Sequence, residues 1–99
     1  MDSAYTERVI YWIDAHEYSK QHWQTVAAEF LAQEDGQLEN AILRLAEGLK
    51  SFHHQFQDAV VKPGNVLYEF IDLALDKVDW LAVAKSRYSA ETITHTDPI

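Results

Sequence analysis

Seven apolar residues in the middle of the chain, Leu38, Ile42, Leu45, Leu49, Phe52, Phe56 and Ala59, are spaced alternately four and three positions apart. That spacing returns each residue to one side of an α-helix, and sustained over three heptads it is the seam of a coiled coil or of a bundle spine. The segment 37–61 is therefore expected to form one helix about 37 Å long at 1.5 Å per residue. Gly48 interrupts it at a cost near ~1 kcal/mol relative to Ala, and marks either a close helix crossing or a bend. A seam this long needs cover. Either the chain's own flanking helices supply it, or a second copy does, which makes Leu38, Ile42, Leu45, Leu49, Phe52 and Phe56 a candidate homodimer interface.

The flanks read as helices too. Ser3 can cap a first helix, in which Tyr5, Val9, Trp12 and Ile13 share a face. The pattern weakens over residues 15–18, and Ser19 is the expected cap of a second helix, with Trp23, Val26, Ala27, Phe30 and Leu31 as its apolar stripe. Beyond the seam, Lys62-Pro63-Gly64-Asn65 stops one helix and caps the next. In that fourth helix Leu67, Phe70, Ile71, Ala74 and Val78 are expected to face inward. Asp76 or Asp79 would cap a fifth, carrying Trp80, Leu81, Val83, Ala84 and Tyr88. No segment alternates as a strand does. The expected fold is all-α: a four- to five-helix bundle whose long central helix, about 37–61, is flanked by helical hairpins at 4–33 and 65–88. Residues 1–88 are expected to make a single domain, and residues 89–99, rich in Ser and Thr, a flexible polar tail.

Two stretches repeat the same words. Trp12-Ile13-Asp14 is followed by Trp23-Gln24-Thr25-Val26-Ala27, and Phe70-Ile71-Asp72 by Trp80-Leu81-Ala82-Val83-Ala84, with Lys20 and Lys77 each three residues before the second Trp. Trp and Val-Ala fall on the apolar stripes, so the repeat speaks to packing and predicts comparable buried positions for Trp23 and Trp80. A Trp that anchors a helix after a turn is similar to the pattern of helix-turn-helix and Myb-like DNA readers. The reading half of such a motif is missing: residues 21–33 hold no Lys or Arg and carry Glu29, whereas a recognition helix needs bases aimed at phosphates and base edges.

Composition narrows the classes further. The 99 residues are 47% hydrophobic, enough for one domain with its own core. The absence of Cys excludes disulfides, thiolate zinc sites and cysteine catalysis, and fits a reducing cytosol. The net charge of −8 is spread along the chain, with ten acids and four bases in residues 1–61 and six and four in residues 62–99. Such a surface repels nucleic acid and anionic lipid and favours basic protein partners. There is no basic lead-in to an apolar segment at the N-terminus, and the longest apolar run there, Val9 to Ile13, falls far short of the ~20 residues that span a bilayer. The expected location is the cytoplasm, with no membrane and no direct nucleic-acid contact.

Candidate chemistry is sparse. Glu69, Asp72, Asp76 and Asp79 recur at i, i+3, i+7, i+10, which on a continuous helix aligns four carboxylates as a face for a basic partner. A Glu-x-x-Asp pair also resembles half of the Mg²⁺ site of all-α nucleotide pyrophosphatases, but no Glu-x-x-Glu completes it. His54 and Asp58 share a helix face, although zinc wants three or four ligands. No Gly-x-Ser-x-Gly or Gly-rich phosphate loop occurs, so neither catalysis nor a cofactor is implied. The leading expectation is a small acidic protein–protein interaction module, a regulatory, adaptor or inhibitor protein that binds stoichiometrically and is not an enzyme. The alternatives are a phage- or mobile-element-type inhibitor that mimics DNA's charge against restriction or CRISPR machinery, and a divalent-metal-dependent all-α hydrolase.

Overall fold

The computed structural model describes residues 4–88. Among them five helices and no strand are present: α1 (Ala4–Ala15), α2 (Glu17–Gln33), α3 (Leu38–Val60), α4 (Val66–Asp76) and α5 (Trp80–Arg87). The chain is a small all-α bundle around a long central helix whose ends lie within a residue of those the heptad spacing predicts. Ser3 and the expected tail at 89–99 lie outside the described residues.

The core forms where α1, α2 and α5 close over the first two-thirds of α3. Leu45, Leu49 and Ala41 are fully enclosed, and Ala46 on the same helix is buried. Against them pack Trp23, Ala27 and Leu31 of α2, Ile13 of α1, and Val78, Val83, Ala84 and Tyr88. Ala27, Ala41 and Ala84 are each wholly buried, so small side chains set close helix approach and larger neighbours fill between them. Tyr88 joins three elements. Its hydroxyl donates to the carbonyl of Ala27 at 2.8 Å, and burial pushes the phenol up to about 12, slightly offset by Arg44.

Two polar joints fix α5 against α1. The Thr6 hydroxyl, completely buried, accepts from the Asp79 backbone N–H at 2.8 Å. Asp79 in turn caps α5 by accepting from the Ala82 N–H, one of the two caps expected there. At the other end Arg87, nearly inaccessible, donates twice to Asp14 at 2.8 and 3.1 Å, a bidentate geometry that locks both planes. That pairing holds the Asp14 carboxyl below its usual range, against an opposing effect of burial.

The helix boundaries correct one expectation. Ser19 does not cap α2, because the helix begins at Glu17. His16 alone separates α1 from α2, with an extended backbone at φ −112° and ψ 113°. Its carbonyl already accepts from the Lys20 N–H, while its ring bonds back to the Trp12 carbonyl at 3.0 Å and stacks on Trp12. One histidine therefore closes the end of α1 and opens α2. At the far end of α2 the N–H groups of Asp35 and Gly36 return to Ala32 and Leu31, with left-handed φ values of 56° and 81°, the Schellman closure that turns the chain into α3.

Of the two roles expected for Gly48, a close crossing and a bend, the tight crossing is not what the structure shows. A Cβ there would meet only the Phe30 ring edge, at 3.9 Å, which is ordinary contact, and α3 runs through it unbroken. Replacing it should therefore relieve the helix of glycine's entropy without a clash. Gly48→Ala is expected to raise the unfolding free energy by about 0.5–1 kcal/mol, read from urea denaturation; destabilisation would show that the site is tighter than its geometry implies. Thr6→Val keeps the shape but removes the acceptor for Asp79. It is expected to cost about 1–3 kcal/mol, seen as a lowered midpoint in thermal unfolding, and an unchanged midpoint would remove that joint from the account.

Candidate functional site

The far end of α3 and the whole of α4 form a hairpin that extends beyond the bundle, and the molecule is accordingly elongated, 52 × 25 × 24 Å. Its turn is built as the sequence predicts: Gly64 takes a left-handed φ of 92°, and the Asn65 side chain accepts from the Leu67 N–H at 2.8 Å to cap α4. Three polar contacts help dock α4 on α3. The Gln57 amide donates to the Tyr68 carbonyl at 3.0 Å, the Tyr68 hydroxyl donates to Asp58, and His54 stands 3.9 Å from Asp72. Gln57 is itself buried, and its amide oxygen has no hydrogen-bond partner among the described residues.

This docking turns α4 in a direction that its sequence does not reveal. No residue of the helix is fully buried. Ile71 and Ala74 lie partly covered and Val78, beyond the helix end, is buried, but Leu67 and Phe70, expected inside, are exposed together with Val66 and Leu73. The reason is a missing neighbour among the described residues. At this level α4 packs chiefly on α3, through the edge that carries Tyr68 and Asp72, so the opposite, apolar edge meets water.

The seam of α3 divides accordingly. Leu45 and Leu49 are consumed by the chain's own core, Ile42 is partly covered and Leu38 lies at the rim, while Phe52 and Phe56 are exposed. Trp23 of α2 meets Phe52 edge-on at 5.4 Å, and Trp80 of α5 lies against His53 at 5.1 Å. The two repeated Trp residues thus grip adjacent positions of α3, Trp23 buried and Trp80 half-buried. Beside the contact of Trp23 with Phe52 lies a groove of about 220 Å³ lined by Trp12, Ile13, Ser19, Trp23, Phe52, His53 and Phe56. Trp12 was expected inward; it stands exposed on the groove's lip, stacked on His16.

The four carboxylates do not share one helix. Glu69, Asp72 and Asp76 follow one another along α4, which ends at Asp76, whereas Asp79 lies past that end and serves as the cap of α5. Helical periodicity places Glu69 and Asp76 on the side of the hairpin away from Leu67 and Phe70. Among the described residues no group of three or more His, Asp or Glu is placed to hold a metal ion, and no helix is long and apolar enough to cross a membrane. His54 and Asp58, one turn apart, face separate α4 partners rather than a common centre.

No family model matches the chain, and neither does any curated protein or solved structure.

One titration reads out the integrity of the groove. Burial lowers the pKa of His53 below its ordinary value, opposed by the hydrogen bond from its Nδ1 to the Leu49 carbonyl at 2.7 Å and reinforced by repulsion from His54. The unfolded chain therefore binds this proton more readily than the folded one, and stability falls as pH drops through the histidine range. The thermal midpoint is expected to decline between roughly pH 7 and pH 5, and His53→Gln to flatten that decline. Equal slopes for the two proteins would mean that His53 is not shielded. Below about pH 4 a second loss is expected as Asp14, whose folded pKa is lowered, begins to protonate in the unfolded chain.

Proposed function

We propose that this protein is a small acidic interaction module, a regulator, adaptor or inhibitor that acts in the cytoplasm by stoichiometric binding and without catalysis. The observation that carries this reading is α4: eleven residues with none fully buried, apolar along one side and acidic along the other, on a hairpin that extends from the bundle. A contiguous apolar surface left in water is the ordinary mark of a docking site, and Glu69, Asp72 and Asp76 beside it give a field that attracts a basic partner and raises its association rate. Direct docking is favoured over imitation of DNA's charge, because a mimic needs carboxylates where α4 presents Leu67, Phe70 and Leu73.

The test is capture of partners from the native host by the tagged full chain, beside a variant carrying Glu69→Gln, Asp72→Asn and Asp76→Asn. A basic protein retained at fixed stoichiometry by the wild type, released at high salt and lost from the variant is the expected result. Identical capture by both chains would remove the acidic flank from the interaction.

A further inference from the structure

We infer that the apolar side of the hairpin is a self-association surface, covered in solution by the same surface of a second copy of this chain. This deepens the reading above and rests on its assignment of the hairpin as the interaction element. The surface comprises Trp12 (61% exposed), Phe52 (46%), Phe56 (57%), Val60 (59%), Leu67 (57%) and Phe70 (62%). The first three line one groove, and Phe52 and Phe56 stack at 6.3 Å. From there helical periodicity carries the surface through Val60, one turn further along α3, to Leu67 and Phe70, which rise on the same side of the hairpin.

Area decides that such a surface needs a partner. Large side chains offer on the order of 150–250 Å² each when aromatic and somewhat less when aliphatic, so these six leave roughly 600–700 Å² in water. That is above the ~300–600 Å² of the largest patch on an ordinary monomer. It approaches the ~800 Å² that each side contributes to an interface of standard size.

Chemistry decides that the partner is a copy. A two-fold contact sets a patch against its own image, so the patch must complement itself. This one holds no charged side chain, and it sets an aromatic groove beside an apolar helix edge, each able to receive the other. With Glu69 and Asp76 on the far side, two chains of net charge −8 can meet here without opposing carboxylates across the contact. Phe52 and Phe56 also keep the heptad register of the seam, the spacing that admits a facing helix. On this chain that register runs on past the contact of Trp23 with Phe52 to the exposed Phe56.

The experiment is sedimentation velocity of the full chain over a dilution series reaching on the order of 100 μM. The wild type is expected to sediment as a dimer at the upper end. Phe56→Asp and Phe70→Asp, both at exposed positions, are each expected to weaken association at least ~tenfold with helicity by circular dichroism unchanged. Leu43→Asp, similarly exposed but on another side of α3 beside Leu81, should leave the dimer intact. A chain monomeric throughout overturns the inference, as does a dimer that Leu43→Asp breaks as readily as Phe70→Asp. A monomer that binds phosphatidylcholine vesicles, or another protein, through Phe70 would assign the surface to that occupant instead. Capture of a basic partner by monomeric Phe70→Asp would leave the interaction reading standing while the dimer fails, so the two are separable.

Discussion

The central helix is longer than any other helix among the described residues, and most of the structure follows from that mismatch. α3 has 23 residues against 17 in α2, a difference of about 9 Å at helical rise. Where cover exists, the seam of α3 becomes a core, with Leu45 and Leu49 fully removed from water. Beyond the contact of Trp23 with Phe52, the seam keeps its spacing but its large residue, Phe56, stands in solvent. Such a side chain forgoes on the order of 1–2 kcal/mol of burial, so the uncovered end is the part of the molecule with most to gain from a neighbour.

The covered part is specified by polar joints as much as by apolar contact. Thr6 with Asp79, Asp14 with Arg87, and Tyr88 with the Ala27 carbonyl tie positions far apart in sequence. Apolar burial alone would tolerate helices sliding by a turn, but a buried hydroxyl or guanidinium left without its partner carries a penalty of a few kcal/mol. These joints therefore fix register. The hairpin at the other end is also held by polar contacts, through Gln57, Tyr68 and Asp58, and no side chain of α4 is fully buried behind them.

Much of this was legible in the amino-acid order, and the misses share a cause. The heptad spacing located α3, and Asn65 and Asp79 cap the helices that follow, because those signals act between residues close in sequence. Ser19 was misread because His16 closes the helix break by itself, using both its ring and its carbonyl. Leu67 and Phe70 were expected inside because periodicity identifies the apolar side of a helix but says nothing about whether a neighbour exists to cover it. The same limit applies to Trp12. Asp79 joined the acidic face only on the assumption that α4 continues past Asp76; the helix ends there and the carboxylate is spent on the next cap. The duplicated Trp words, by contrast, do report architecture: Trp23 and Trp80 seat on neighbouring residues of α3, the first buried and the second half-buried.

The hairpin has less cover than the bundle, and on the dimer proposed above it acquires that cover by association. Amide hydrogen exchange, followed by mass spectrometry across a range of protein concentrations, tests it most directly. Slow, concentration-independent exchange is expected for the α3 segment around Leu45 and Leu49, with exchange over α4 fast in dilute solution and slowing as concentration rises. Protection of α4 equal to that of the core at every concentration would contradict the account, because the hairpin would then need no neighbour.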